Sequence, residues 1–128
     1  MYLVSIYSDG GKNKKEGPYG SYQVIYKGEV KKEQWFQYDA SYTAPDTEAA
    51  TLANAMLYAK ELAERSPVKL SFDFHIDADW LYGHIVEYGR KVAKKHQPII
   101  EKLRKLHEEL NSTLVLVDGD EMKSVLGH

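Results

Sequence analysis

Hydrophobic and polar residues alternate with a period of two along several short stretches, which is the pattern of half-buried β-strands. Residues 2–9, 22–26 and 34–38 predict three strands, and the short links between them favour an antiparallel meander. The clearest alternation runs through residues 68–77, and residues 114–117 form a short apolar strand. The chain therefore carries five predicted strands, three of them close together at its start.

Apolar residues spaced three and four apart predict helices around the later strands. Thr43–Thr47 carries helix-start signals, and the stripe that follows runs until Ser66-Pro67. Asp79 to about Arg90 and the segment from Pro98 give two more helices, and Asp120–Leu126 opens a last one. Helical crossovers before and after the fourth strand favour parallel pairing there. The pattern predicts one α/β domain, residues 1–128, with a mixed sheet.

Composition and charge exclude several classes of protein. With 43% hydrophobic and 28% charged residues, the 128-residue chain has the composition of a globular domain. It has no cysteine, which excludes disulfides and thiolate metal sites and favours the reducing cytoplasm. No secretory signal is visible, and no apolar run approaches the ~20 residues of a spanning helix. At a net charge of -2, a nucleic-acid binder must concentrate its positive charge locally.

Three acidic residues stand where a folded chain could bring them together. Asp9 ends the first predicted strand, ahead of the glycine- and lysine-rich segment 10–18, which is predicted to be a loop. Asp77 ends the fourth strand, and Glu48 lies in the first turn of the crossover helix. If the two strands are parallel neighbours, their carboxylates can share a metal ion, and Glu48 can lean toward it.

A site built from carboxylates alone suits Mg²⁺ or Mn²⁺, which prefer oxygen ligands. Two such ions about 4 Å apart could activate a water and stabilise the leaving oxygen in phosphodiester cleavage.

Each acid also has a structural interpretation when it is taken alone. Asp9-Gly10-Gly11 can be a turn, Glu48 can be a first-turn acid that the helix dipole stabilises, and Asp77 can cap the next helix. Lysines including Lys12, Lys94 and Lys95 are candidates for phosphate contact or a solvated surface.

The order of four short motifs resembles type 1 ribonuclease H. They are Asp9-Gly10-Gly11, Gly-Pro-Tyr-Gly-Ser-Tyr at 17–22, Thr47-Glu48-Ala49, and Ile-Asp-Ala-Asp-Trp-Leu at 76–81. The resemblance covers nearly the whole chain. It implies a ribonuclease H-like sheet of order 3-2-1-4-5, with the first three strands an antiparallel meander and helices on both faces. It also implies that Asp9, Glu48 and Asp77 are catalytic and ligate two metal ions, with Gly10 and Gly11 close to the nucleic acid.

The chain departs from the pattern of that family at two sites. Ser124 stands where the family has its fourth acid, so Asp120 or Asp118 would have to supply that ligand from the start of the last helix. The paired asparagines that read RNA hydroxyls in the family fall on Ala44 and Pro45. The first departure bears on metal binding, and the second bears on selectivity for RNA.

Three functions follow from these observations. The first is a metal-dependent endonuclease that hydrolyses the RNA strand of RNA–DNA hybrids by a two-metal-ion mechanism. The second is a nuclease of the same fold that acts on another nucleic acid, such as a DNA junction or a single strand, as the missing asparagines indicate. The third is a catalytically inactive nucleic-acid-binding domain, as the serine at the fourth-acid position indicates.

Overall fold

The fold was analysed in a computed structural model that describes residues 2–87 and 91–127. Along these residues the order of elements is β1 (Tyr2–Asn13), β2 (Gly17–Tyr26), β3 (Glu29–Gln37), α1 (Ala44–Arg65), β4 (Leu70–Ile76), α2 (Asp79–Val86), α3 (Gln97–Glu109), β5 (Thr113–Leu116) and α4 (Gly119–Leu126). A short 3₁₀ turn, Lys94–His96, precedes α3. None of the helices described has the length and apolar character needed to cross a membrane.

The five strands form one mixed sheet in the order β3-β2-β1-β4-β5. β1 pairs with β2, and β2 with β3, in antiparallel fashion. β4 lies parallel to both β1 and β5, as the helical crossovers required. The predicted fold class, strand order and meander are confirmed.

Helices cover both faces of the sheet. Val4 and Ile6 of β1 and Phe74 of β4 point into the main core, which they share with residues of α1, α2 and α3. The opposite face carries α4, which contacts β1 and β2 and buries Met122 completely. Because side chains alternate between the two faces of the sheet, one face packs on a large apolar core. The other face is more polar and carries one helix.

Helix α1 begins and ends where its sequence signals predict. The Thr43 hydroxyl accepts a hydrogen bond from the Asp46 backbone N–H, and the Asp46 carboxylate accepts one from the Thr43 backbone N–H. This reciprocal capping box satisfies two N–H groups at the start of the helix. The helix ends at Arg65, because the residue before Pro67 is driven into an extended conformation.

Three sequence predictions about element boundaries need correction. β3 begins at Glu29 rather than at Gln34, because its first residues pair with the end of β2. Only residues 14–16 of the segment 10–18 form a turn: β1 runs on to Asn13 and β2 begins at Gly17, because these segments pair with each other in a long hairpin. Helix α2 ends at Val86 rather than near Arg90, and Arg90 itself lies outside the described residues. Asp9 therefore sits within β1, at the point where that strand extends past its parallel neighbour β4.

Helix α1 packs directly on a pair of glycines. Gly10 of β1 and Gly20 of β2 are cross-strand partners. A Cβ atom on Gly10 would lie 2.6 Å from the Thr47 carbonyl carbon, and one on Gly20 would overlap the Thr51 hydroxyl. Both threonines are fully buried, and each hydroxyl donates to a carbonyl of its own helix at 2.7 Å. The helix can approach this closely only because both glycines lack a side chain.

Replacing either glycine should separate α1 from the sheet. We expect Gly10→Ala and Gly20→Ala each to lower the free energy of unfolding by about 1–3 kcal/mol, measured by urea denaturation. Gly119→Ala is the matched control, because its Cβ would meet only the Asp77 Oδ2 atom at 4.0 Å. That change should be neutral or slightly stabilising. Wild-type stability in both strand variants would contradict the close-packing account.

Candidate metal centre

Asp9 and Asp77 come together through the parallel pairing of β1 and β4. Tyr7 lies opposite His75 in this register. Continuing it by two residues places Asp9 beside Asp77, with both side chains on the same face. β4 ends at Ile76, so the pair stands at the end of the parallel part of the sheet. Ligand-binding sites of α/β sheets commonly form at this end of the parallel strands.

Glu48 reaches the same point from the other face of the sheet. Its backbone nitrogen would lie 2.7 Å from a Cβ on Gly10, so the first turn of α1 rests on β1 next to Asp9. Ligand atoms of Asp9, Glu48 and Asp77 all lie within 4.8 Å of one another. Within residues 2–87 and 91–127, these three residues form the only such group of potential metal ligands. The structure thus brings together the three acids that the sequence singled out.

Burial and the neighbouring charges raise the pKa of two of these acids. Burial raises the pKa of Asp9 to about 7, and the charge of Asp77 and a hydrogen bond with it act in the same direction. Burial also raises the pKa of Glu48, and the hydrogen bond from Trp80 only partly offsets this rise. Three carboxylates this close repel one another when all are charged, and a bound cation would relieve that repulsion. The all-oxygen donor set and the excess negative charge fit a hard divalent ion.

Trp80 holds Glu48 in place. Its indole N–H donates a hydrogen bond of 3.0 Å to the Glu48 Oε1 atom. The ring of His96 packs on Trp80 with 5.1 Å between ring centroids, and His96 Nε2 lies 3.0 Å from Asp46 Oδ1. The start of α1, the start of α2 and the 3₁₀ turn are therefore tied together around Glu48. No local pattern indicates this role, because Trp80 and Glu48 are 32 residues apart.

The predicted fourth ligand lies outside the group. Asp120 is exposed in the first turn of α4 and is not within the 4.8 Å cluster of described acids. Asp118 is the N-cap of α4, and its carboxylate accepts from the Glu121 N–H at 2.8 Å. The Ser124 hydroxyl donates to the Glu121 carbonyl. Gly119, the first residue of α4, faces Asp77: a Cβ there would lie 4.0 Å from the Asp77 Oδ2 atom, and glycine has no side chain to offer a ligand.

The residues predicted to contact nucleic acid have different surroundings. Gly10 faces Thr47 of α1, and a Cβ on Gly11 would lie 2.8 Å from the Tyr19 hydroxyl. The Lys12 ammonium donates to two backbone carbonyls of the loop between β3 and α1, each at 3.2 Å. Lys94 and Lys95 are exposed on the 3₁₀ turn that His96 ties to α1. A nucleic-acid role for all five stays a prediction.

Comparison with known proteins identifies the fold. No family model matches the chain, and no curated protein does. The structure of RNase H1 from the halophilic archaeon Halobacterium salinarum matches with a TM-score of 0.79 and 13% identity, over 94% of this chain and 89% of that one. LC11-RNase H1 in complex with an RNA/DNA hybrid matches with a TM-score of 0.80 and 14% identity, over 94% and 89%.

A third match is the N-terminal RNase H domain of a Mycobacterium tuberculosis protein, with a TM-score of 0.78 and 14% identity over 97% of this chain and 88% of that one. At these identities the likeness establishes the fold. The chain therefore has the ribonuclease H fold, as the motif order implied.

The metal-free protein should be less stable at high pH because of Asp9. Its pKa of about 7 in the folded state exceeds the ordinary value of 3.8, so stability falls as the pH rises from about 4 to about 7. We expect Asp9→Asn to be more stable than wild type at about pH 8 in chelator, by about 1–2 kcal/mol after allowance for solvent screening.

This advantage should vanish at about pH 5, where the aspartic acid is already neutral. Urea denaturation of both proteins at the two pH values measures it. Equal stability of the two proteins at both values would show that the acids do not repel one another.

Loss of the indole hydrogen bond should weaken metal binding. We expect Trp80→Phe to lower the affinity for Mn²⁺ about tenfold in a calorimetric titration, because Glu48 loses the donor that orients it. Trp35→Phe is the matched control, since Trp35 lies on β3 away from Glu48. Unchanged Mn²⁺ affinity in Trp80→Phe would rule out a positioning role for the indole.

Proposed function

We propose that this protein is a divalent-metal-dependent endonuclease that hydrolyses the RNA strand of RNA–DNA hybrids. The observation that carries the proposal is the meeting of Asp9, Glu48 and Asp77 at the end of the parallel strands of a ribonuclease H fold. The hybrid bound by a structure of the same fold supports this choice of substrate. The absence of cysteine is compatible with work in the reducing cytoplasm.

Asp9, Glu48 and Asp77 would hold two Mg²⁺ or Mn²⁺ ions, which would supply an activated water and neutralise the leaving oxygen. With its pKa raised to about 7, Asp9 is only partly protonated near neutral pH in the metal-free protein and would have to lose that proton to serve as a ligand. The Trp80 indole N–H donates to Oε1 of Glu48 and so restricts the orientation of this carboxylate beside the other two acids. Gly119 leaves the α4 side of the acids open for a nucleic-acid strand.

The turn that carries Lys94 and Lys95 is the proposed source of phosphate contacts. His96 anchors this turn to Asp46 at the start of α1, two residues before Glu48. The protein as a whole is slightly acidic, so attraction to a polyanion must come from such a local group. Lysines held here would place a backbone phosphate close to the acids.

A nuclease that acts on another nucleic acid is the second candidate. Ala44 and Pro45 open α1 at the positions where the resembling family has its paired asparagines. Neither side chain can donate a hydrogen bond to a ribose hydroxyl. Selectivity for RNA must therefore come from other contacts if the hybrid is the substrate.

Cleavage assays with substrates of matched sequence test the proposal. With Mg²⁺, we expect wild type to cut the RNA strand of a labelled hybrid in preference to duplex RNA, duplex DNA, a single strand or a junction. Asp9→Asn and Asp77→Asn should each reduce the rate about a thousandfold or more, because each removes a charged ligand from the centre.

Asp120→Asn is the matched control, and its rate should stay within about twofold of wild type because Asp120 lies outside the cluster. Undiminished cleavage by Asp9→Asn would exclude the proposed centre. A clear preference for a junction or a single strand would favour the second candidate. Failure of wild type to cut any of these substrates would favour an inactive binding domain.

A further inference from the structure

The sheet face that carries Asp9 also carries a stacked pair of aromatic rings. Tyr19 is the cross-strand partner of Gly11, and Trp35 is the partner of Ser21, which itself pairs with Asp9. Strand alternation puts both rings on the Asp9 face. Their centroids are 5.3 Å apart, and the ring planes lie within 5° of parallel. Trp35 is on the edge strand and is 48% exposed.

This aromatic pair is continuous with the acidic centre. A Cβ on Gly11 would lie 2.8 Å from the Tyr19 hydroxyl, so the Tyr19 side chain extends from β2 over β1. Burial raises the pKa of Tyr19, and the charges of Asp9, Glu16 and Asp77 raise it further, which agrees with this position. A flat aromatic surface thus leads from the acids, across two strand spacings of about 5 Å each, to the edge of the sheet.

A cavity of about 290 Å³ lies beside Trp35, between β2, β3 and the end of α4. Trp35 and Leu126 give it apolar walls, and Ser21, Gln23 and Glu33 give it polar ones. Gln23 is only 8% exposed, and its amide donates to Glu33 Oε1 at 2.6 Å. A carboxylate has two acceptor oxygens, so Glu33 keeps acceptor capacity beyond this bond.

The lining favours a flat, uncharged ligand with hydrogen-bonding edges. Two acidic groups border this surface: Glu33 lines the cavity, and the charge of Glu16 acts on Tyr19. A phosphate would be repelled here, whereas a nucleobase could stack on the indole and place its polar edge against the amide and the carboxylate. Bases inside a continuous duplex already stack on their neighbours, so only an unpaired base can present a face.

We infer that Trp35 and the adjoining cavity form a subsite for an unpaired nucleobase next to the strand held at the acids. The inference rests on the proposed nuclease function and narrows its substrate. The favoured substrate is a hybrid with a single-stranded extension close to the cleaved bond, rather than a continuous hybrid duplex.

Binding of three fluorescently labelled hybrids tests the inference. One hybrid is blunt, one has a short single-stranded tail, and one has the same tail built from abasic nucleotides. Asp9→Asn is the background protein throughout, so that no strand is cut during an anisotropy titration. We expect the normal tail to tighten binding about tenfold, as stacking of one base on an aromatic ring does. The abasic tail should give no gain, because it keeps the phosphates and lacks the bases.

Substitutions on the edge strand assign the effect to Trp35. Added to the background, Trp35→Ala should remove the gain from the tail and leave the affinity for the blunt hybrid unchanged, while Trp35→Phe should keep most of the gain. Val30→Ala is the matched control, because Val30 lies on the same strand and is 52% exposed. Circular dichroism checks that each variant is folded.

Equal affinity of the background protein for blunt and tailed hybrids would overturn the subsite, as would a gain from the abasic tail. An equal loss for both hybrids in Trp35→Ala would also overturn it, since it would indicate a general contact. Cleavage of the blunt hybrid by wild type is measured separately and decides the proposed function. The subsite can therefore fail while the nuclease stands, whereas a protein that neither binds nor cuts any hybrid fails both.

Discussion

The contact of α1 with the glycine pair is the constraint on which the site depends. Gly10 and Gly20 let the helix backbone approach the sheet more closely than any Cβ would permit. Thr47 and Thr51, which fill this contact, satisfy their hydroxyls within the helix, so the close packing leaves neither group without a hydrogen bond. Because Glu48 follows Thr47 directly, the same contact determines how near its carboxylate comes to Asp9. The packing of α1 and the geometry of the acidic cluster are therefore one property of the fold.

That geometry concentrates negative charge at a cost in stability. The pKa of Asp9, raised to about 7, reflects the unfavourable placement of a buried carboxylate beside another acid. The surrounding structure keeps the acids together all the same. The β1–β4 register fixes Asp9 and Asp77, and the Trp80 hydrogen bond fixes Glu48. Functional sites typically hold like charges close together at a cost in folding stability, and a bound ligand relieves that repulsion.

Much of this arrangement could be predicted from the sequence, because it follows from local patterns and topology. Alternation in residues 68–77 placed Asp77 at the end of a strand, and the helical crossovers required β4 to run parallel to its neighbours. The segment from Gly10 to Asn13 looked like a loop because glycine and lysine are common in turns. There the glycine serves helix packing in an extended strand instead. The Trp80–Glu48 bond connects distant segments, and no local pattern encodes it. Asp118 is used as the cap of α4, and Asp120 is exposed in the first turn of that helix, outside the acidic cluster.

The acids come together from both faces of the sheet, and on the proposed function this arrangement would let one centre contact a nucleic-acid strand from two sides. Glu48 arrives from the α1 face, whereas Asp9 and Asp77 project toward the face of α4. On the proposed function, a nucleic-acid strand bound at the acids would have Lys94 and Lys95 on one side and the aromatic surface of Trp35 on the other. Because Gly119 supplies no fourth carboxylate, the cations would have fewer protein ligands, and a substrate phosphate could provide the missing oxygen. Metal ions and nucleic acid would then each strengthen the binding of the other, as linkage requires.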